Sequence, residues 1–150
     1  MEMLLKVLVT WLSINSGLPA TEDLPQVQFA LAEEMAALRL SGAQAAESSA
    51  AVPQLVGHSH ELRAIYDDRS RTIYLLDGWS GATPAEVSVL VHELVHHLQK
   101  EAALEYDCVE AREKPAYQAQ QKWLELFDTD LSAEFQMDPM TILVRTNCIY

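Results

Sequence analysis

The sequence predicts an α+β fold, and three observations lead to this prediction. Two runs of β-favouring residues, 62–66 and 72–76, flank a short polar turn, as expected of a hairpin. Segments with the apolar periodicity or the composition of helices stand before and after this hairpin. Strands that neighbour each other and are followed by helices are typical of an α+β fold rather than of an alternating βαβ chain.

Length, composition and charge narrow the class of protein. The chain has 150 residues, 49% hydrophobic and 21% charged, which suits one domain over residues 1–150 whose core needs no disulfide or metal to form. Ten Lys and Arg residues against 22 Asp and Glu residues give a net charge of −12. Such an acidic chain is a poor ligand for nucleic acids and anionic membrane surfaces, and no apolar run is long enough to span a membrane.

The N-terminal segment predicts a helix that belongs to the fold. Its larger apolar residues fall on one helical face: Leu4, Leu5, Leu8, Trp11 and Leu12. An early acid, Glu2, a single base, Lys6, and the lack of a clear cleavage site near residue 20 distinguish the segment from a signal peptide. Gly17 and Pro19 predict the end of this helix, because Gly suits a C-cap and Pro cannot continue a helix.

A second helix is predicted from about Val27 to Leu40, where Ala, Leu, Met and Glu predominate. The small and polar residues of 41–53 then predict a loop. After the hairpin, Gly78 and Gly81 end its second strand, and Trp79 between them is expected to fill a gap in the core.

The best-defined helix begins at Thr83. Thr83 is a suitable N-cap, Pro84 suits the first helical position, and Glu86 completes a capping box. We expect this helix to extend to about residue 101. Further helices are predicted over about 113–127 and directly after Asp138 and Pro139.

The helix that begins at Thr83 contains the pattern HExxH, from His92 to His96. Residues four apart lie on one helical face, so the two histidines can bind one metal ion, and zinc accepts neutral imidazole nitrogen in tetrahedral geometry. Glu93 lies beside the ion but off the ligand face, where it can take a proton from metal-bound water. Two solvated histidines are the plainer alternative, but the surrounding Leu and Val residues indicate a buried helix, in which such a pair needs a partner.

A third protein ligand must come from outside this motif. A third histidine six residues after His96 would indicate a metzincin, but that position is Ala102. Four downstream acidic residues are candidates: Glu105, Asp107, Glu110 and Glu113. We favour Glu113, with Glu110 as the alternative, because Glu113 would fall in the first turn of the helix predicted at 113–127, where the helix dipole favours a carboxylate.

These motifs resemble those of zincin metallopeptidases. HExxH followed after a short connection by a helical Glu is similar to the gluzincin branch, and a hairpin directly before the HExxH helix in so short a chain is similar to the minigluzincins. The stretch HELVHHLQ at 92–99, with AREKPAY at 111–117, also resembles a family of small bacterial proteins of unassigned function. The resemblance covers about residues 62–123.

The resemblance implies a minimal zincin-like fold, in which a hairpin or small sheet packs on the HExxH helix, and a zinc peptidase that cleaves peptides or proteins. It implies one zinc ion held by His92, His96 and Glu113, with Glu93 as general base. It also implies that an edge strand, here 72–76, pairs with an extended substrate.

Other residues near the motif have two interpretations each. Tyr117 stands four residues after the expected ligand Glu, where many gluzincins carry an Asp that orients a histidine; it is either a catalytic group that orients or stabilises an oxyanion, or a core aromatic. His97 points about 100° away from His96 around the helix; it either supports the metal ligands from behind or lies at the surface, and we favour the surface. His58 and His60 are expected to be solvated rather than to bind metal.

The two cysteines, Cys108 and Cys148, are either two buried thiols or one disulfide. A disulfide requires an oxidising compartment, so the protein would then be periplasmic or secreted, with its signal already removed. Without the disulfide we expect a cytoplasmic protein.

The function predicted from these features is hydrolysis of peptide bonds by a metal-activated water, with Glu93 as general base. The alternative is a non-catalytic or self-inhibited zinc-binding module that keeps the scaffold, with a structural ion or with the tail at 146–150 in the site. An open fourth coordination position would favour the enzyme, and a fourth protein ligand would favour the module.

Overall fold

The computed structural model describes residues 1–43 and 63–148. This part of the chain forms six helices and one three-stranded sheet, which confirms the α+β class. None of these helices is both long and apolar enough to cross a membrane. The elements, in chain order, are α1 (Glu2–Ser16), β1 (Gln26–Ala30), α2 (Ala32–Ala43), β2 (Ala64–Asp67), β3 (Thr72–Leu76), α3 (Pro84–Glu101), α4 (Val109–Glu125), α5 (Leu131–Phe135) and α6 (Pro139–Thr146).

The sheet has the order β1-β3-β2, with β1 parallel and β2 antiparallel to β3. The predicted hairpin is therefore confirmed as β2 and β3. The expectation that 72–76 is a substrate-pairing edge strand is wrong, because β3 has a hydrogen-bonded neighbour on each side and buries Ile73 and Leu75 completely. The strand at the edge beside α3 is β2.

The second predicted helix begins later than expected, because its first residues form β1 instead. Val27 and Phe29 have the branched and aromatic side chains that strands favour, and the free edge of β3 supplies a backbone partner. The N–H of Gln26 donates to the Arg71 carbonyl, and the N–H of Asp77 donates to the Ala30 carbonyl. A partner strand more than forty residues away in sequence thus decides the structure of β1. Residues 44–53 of the predicted loop, which follow α2, lie outside the described residues.

The core lies between the inner face of the sheet and the helices α1, α3 and α4. Helix α1 is confirmed as part of the fold, and its inward residues are Leu5, Leu8, Val9 and Leu12. It ends at Gly17, whose φ of 70° is the left-handed conformation that glycine adopts without strain. Helix α3 is the central element, and its apolar residues expected to be buried are all buried: Leu90, Val91, Leu94, Val95 and Leu98.

The start of α3 is held by the capping box that the sequence predicts. The Thr83 hydroxyl accepts a hydrogen bond from the Glu86 N–H, and the Glu86 carboxylate accepts bonds from the backbone N–H groups of Ser80, Ala82 and Thr83. Trp79 packs against the core as expected, and its indole N–H donates to the Glu86 carbonyl at 2.8 Å. The turn before α3 is thus fixed to the first turn of the helix itself.

Helix α4 begins at Val109, four residues earlier than predicted, so Glu113 lies in its second turn and not its first. The Cys108 sulfur caps the helix by accepting a hydrogen bond from the Ala111 N–H at 3.3 Å. Pro115 lies inside the helix, where it lacks the N–H that would bond to a preceding carbonyl. The N-cap of the helix is Cys108.

Cys108 and Cys148 form a disulfide. The bond joins the N-cap of α4 to the residues directly after α6, and α6 packs along α4. Helix α6 begins with Asp138 as N-cap and Pro139 as first residue, as predicted, whereas the five-residue α5 was not predicted. The disulfide therefore closes a loop that contains α4, α5 and α6.

We expect Glu86→Ala to lower the free energy of unfolding by about 1–2 kcal/mol, because the change removes a capping carboxylate that accepts several backbone hydrogen bonds. The measurement is urea unfolding followed by circular dichroism. The exposed Glu105, outside any helix, supplies the control Glu105→Ala. Equal midpoints for the two variants would show that the capping box contributes nothing.

Candidate metal centre

The side chains of the HExxH helix meet a carboxylate from the next helix. His92 and His96 lie one turn apart on α3, on the face that packs against α4, and Glu113 projects from α4 between them. The two histidines are 9% and 6% exposed. The Nε2 atoms of His92 and His96 are 3.3 Å apart, and the Glu113 carboxylate oxygens lie 3.1 Å and 3.2 Å from them.

These distances fit one tetrahedral metal ion. Three ligand atoms that each lie about 2.0–2.1 Å from a zinc ion are separated from one another by about 3.3 Å. Each imidazole Nε2 has one Glu113 oxygen at about this spacing, and His92, His96 and Glu113 each offer one ligand atom within 4.8 Å of the others, as suits a metal-binding set. Glu110, the alternative third ligand, lines the neighbouring cleft but does not belong to this set.

A buried glutamine fixes the tautomer of His92. The Ser88 hydroxyl donates to the Ala85 carbonyl at 2.7 Å, so its oxygen accepts from the amide NH₂ of Gln120 at 3.1 Å. The amide oxygen of Gln120 then faces Nδ1 of His92 at 3.1 Å. Because that oxygen can only accept, Nδ1 of His92 carries a proton, so the lone pair of the neutral ring is on Nε2, whereas in the protonated ring Nε2–H donates to Glu113.

A second glutamine does the same for His96. The amide NH₂ of Gln99 donates to the Arg112 carbonyl at 2.9 Å, so its amide oxygen faces Nδ1 of His96 at 3.0 Å. Nδ1 of His96 therefore also carries a proton, and the lone pair of the neutral ring is on Nε2. Sequence reasoning missed both glutamines, although Gln120 stands seven residues after Glu113, on the same helical face, and Gln99 three residues after His96.

Three electron-pair donors thus converge on one point, and they require a positive charge there. Burial alone lowers the pKa of His96, but its hydrogen bond with Glu113 and the charge of Glu113 outweigh burial and raise that pKa. Burial alone raises the pKa of Glu113, but the bonds from His92 and His96 hold it well below its usual range. A proton or a metal cation satisfies this site, and two imidazole nitrogens with one carboxylate are ligands that zinc accepts.

Glu93 lies beside this set but makes a different contact. Its Oε2 accepts a hydrogen bond from the Tyr66 N–H at 2.8 Å. In an antiparallel pair, every second residue of a strand bonds to its partner strand through its backbone. The Leu76 N–H donates to the Arg63 carbonyl, so Arg63 is one of these residues, and the backbone groups of Ala64 and Tyr66 face away from β3. Glu93 is therefore anchored to the free edge of β2, with Oε1 accepting no hydrogen bond within residues 1–43 and 63–148.

His97 is fully buried, so the expectation that it lies at the surface is wrong. Its Nε2–H donates to the Asp23 carbonyl at 2.7 Å, and its Nδ1 accepts from the Tyr66 hydroxyl at 3.0 Å. The segment before β1 covers this side of α3, which the helical periodicity alone does not reveal. Burial lowers the pKa of His97, and burial with the neighbouring Asp68 charge raises that of Tyr66 to about 12, so the bridge is neutral near pH 7.

Tyr117 lies against the metal-binding set without belonging to it. Its ring packs edge-on against the His92 ring, with centroids 4.7 Å apart, and its hydroxyl accepts from Nη1 of Arg145 at 3.3 Å. Burial raises the pKa of Tyr117, although Arg145 opposes this shift. Tyr117 thus packs against a buried apolar cluster and also lines the cleft.

The site opens into a cleft of about 640 Å³. The cleft lies between the edge of β2, the two site helices and the α5–α6 segment, and His92, Glu93, His96 and Glu113 all line it. Arg112 holds one wall in place, since both of its terminal nitrogens bond to the Asp68 carboxylate at 2.8 Å and 3.0 Å. His58 and His60, and residues 149–150 of the tail, lie outside the described residues.

Comparison with known proteins gives one match. Residues 1–150, the whole chain, match the model of a family described as a domain of unknown function, DUF6647. No curated protein and no solved structure matches the chain. The chain therefore belongs to the DUF6647 family.

Proposed function

We propose that this protein is a zinc-dependent metallopeptidase. One observation carries the proposal: two imidazoles with fixed tautomers and a carboxylate converge at metal-binding distances beside Glu93, at the floor of an open cleft. In this proposal Nε2 of His92, Nε2 of His96 and the Glu113 carboxylate hold one zinc ion. Three protein donors with access from a cleft are typical of catalytic zinc sites, whereas structural sites have four protein donors.

The proposed chemistry assigns a separate task to Glu93. When bound, zinc supplies a Lewis acid that polarises a carbonyl group and lowers the pKa of water. Glu93 accepts a proton from the attacking water at Oε1, because the Tyr66 N–H occupies Oε2. The same oxygen returns the proton to the amine nitrogen as the peptide bond breaks. The Tyr66 bond holds the carboxylate in one orientation during both transfers.

The proposed substrate lies along β2. The N–H and carbonyl of Ala64 and the carbonyl of Tyr66 face away from β3, and both residues line the cleft. An extended peptide can add to such an edge through main-chain hydrogen bonds. We further propose that the Tyr117 hydroxyl, held by Arg145 beside His92, donates a hydrogen bond to the developing oxyanion.

The disulfide supports a proposed location. A bond between Cys108 and Cys148 persists in an oxidising environment and is rare in the cytosol. We therefore propose that the protein acts in the periplasm or outside the cell.

We expect Glu93→Gln to retain about one zinc ion per chain and to lower peptide hydrolysis at least ~100-fold, because the amide cannot accept the proton. Metal content is measured by mass spectrometry of the purified protein, and hydrolysis with fluorescent casein and with a random peptide library. Glu105→Gln, an exposed glutamate that does not line the cleft, is the matched control. Hydrolysis by Glu93→Gln at the unmodified rate would remove Glu93 as the general base.

We expect Glu113→Ala to weaken zinc binding at least ~10-fold and Glu110→Ala to leave it unchanged, because only Glu113 joins the two imidazoles. The measurement is competition for zinc with a chromophoric chelator. Loss of affinity in Glu110→Ala alone would reverse the assignment of the third ligand. Unchanged affinity in both variants would show that no carboxylate of α4 binds the metal.

A further inference from the structure

We infer that the cleft recognises a carboxylate of its substrate through Arg63, at a position about three residues from the bond to be cleaved. The carboxylate belongs either to an acidic side chain or to the C-terminus of a peptide. This inference deepens the proposed peptidase function and rests on it, but the binding test below requires no turnover.

The arginines of this acidic protein are concentrated around the cleft. Four of its six arginines line the cleft, and none of its four lysines does. Arginine is the side chain best suited to paired hydrogen bonds with a carboxylate. A chain with a net charge of −12 therefore presents a cationic lining next to its candidate metal centre, and a bound zinc ion would add to that charge.

Two of these arginines have structural partners. Arg112 gives both terminal nitrogens to Asp68 and its Nε to the Gln99 amide oxygen. Arg145 donates to the Tyr117 hydroxyl. Because their side chains already bond to neighbouring residues that shape the cleft, neither arginine is the first candidate for binding a substrate carboxylate.

Arg63 differs from both. It is half-buried at the start of β2, and its guanidinium lies over the Phe135 ring, 5.3 Å from the ring centroid. Stacking on an aromatic ring restricts the guanidinium and leaves the N–H groups at its edge available to a carboxylate. Arg63 forms no ion pair within the described part of the chain, nor does the exposed Arg39, which also lines the cleft.

The carboxylates of the cleft do not balance this charge. Glu113 is bonded to the two imidazoles, and Glu93 is bonded to the Tyr66 N–H. Glu110 is the one other carboxylate among the residues that line the cleft. Within residues 1–43 and 63–148, no carboxylate is paired with Arg63 or Arg39, and a substrate carboxylate would supply such a partner.

The distance along β2 sets the position of that carboxylate. Arg63 stands three residues before Tyr66, whose N–H holds the proposed general base, and three residues of strand span about 10 Å. A peptide aligned with β2 has the same rise per residue. Its carboxylate would therefore meet Arg63 about three residues from the bond that Glu93 helps to break.

The test measures binding to the zinc-loaded Glu93→Gln protein with matched peptide libraries. All peptides have eight residues, random except at one position that carries either Glu or Gln, and each library is made with a free and with an amidated C-terminus. We expect Glu peptides to bind about tenfold more tightly than Gln peptides if the side chain is recognised. If peptides with a free C-terminus instead bind about tenfold more tightly than amidated peptides, the recognised group is the terminal carboxylate.

Variants of single arginines show which residue causes the preference for carboxylate peptides. Adding Arg63→Gln should reduce it to less than about twofold, and Arg63→Lys should retain part of it, because a lysine keeps the charge but not the paired hydrogen bonds. Arg69→Gln, at an exposed arginine outside the cleft, should leave the preference unchanged. Equal binding of all libraries, or a preference that survives Arg63→Gln, would overturn the inference.

The outcomes separate this inference from the proposed function. Cleavage by the unmodified protein that Glu93→Gln abolishes, without any carboxylate preference in binding, would support the peptidase and overturn the role of Arg63. A carboxylate preference that depends on Arg63, without cleavage of any library, would support the recognition site and contradict the peptidase. Absence of both binding and cleavage would overturn both.

Discussion

Two buried glutamines constrain the chemistry of this protein more than any other residues. Each directs an amide oxygen at Nδ1 of one histidine, and the NH₂ group of each donates to another acceptor, the Ser88 hydroxyl oxygen in one case and the Arg112 carbonyl in the other. In the neutral rings, the Nε2 lone pairs of His92 and His96 therefore face each other and Glu113. Such an arrangement is unfavourable unless a positive charge lies at its centre, because buried lone pairs without a donor or cation cost free energy.

The rest of the fold holds this arrangement in register. Helix α3 carries the histidines and is buried on most sides, so its face towards α4 cannot rotate. The position of α4 is set by the disulfide at its first turn and by the pairing of Arg112 with Asp68. The bridge from Asp23 through His97 to Tyr66 fixes β2 against α3, and with it the orientation of Glu93. Contacts distant from the centre thus determine how precisely its atoms meet.

Some features of the fold and of the metal centre depend only on residues close together in sequence, and these features could be predicted. The start of α3 and the shared face of the two histidines follow from rules that involve only residues one turn apart. The strand at 26–30 and the burial of His97 depend on β3 and on Asp23, which are distant in sequence, so local patterns gave the wrong answer. The N-cap of α4 is Cys108, a residue outside the set that usually caps helices, so the cap rules did not predict where α4 begins. The prediction of Glu113 as a ligand relied on a helix beginning at 113, yet α4 begins at Val109 and Glu113 meets the histidines from its second turn. The glutamines were overlooked because their role is visible only once the two helices are side by side.

We propose that both histidines present Nε2 to one shared metal ion. Long-range ¹H–¹⁵N correlation spectra of the imidazoles, recorded before and after addition of one equivalent of zinc, test it most directly. We expect that zinc converts both His92 and His96 to the Nδ1–H form with a metal-shifted Nε2, and that the His97 resonances keep the Nε2–H form. Spectra in which either ligand histidine carries its proton on Nε2 after zinc addition, or in which zinc changes neither ring, would contradict the account.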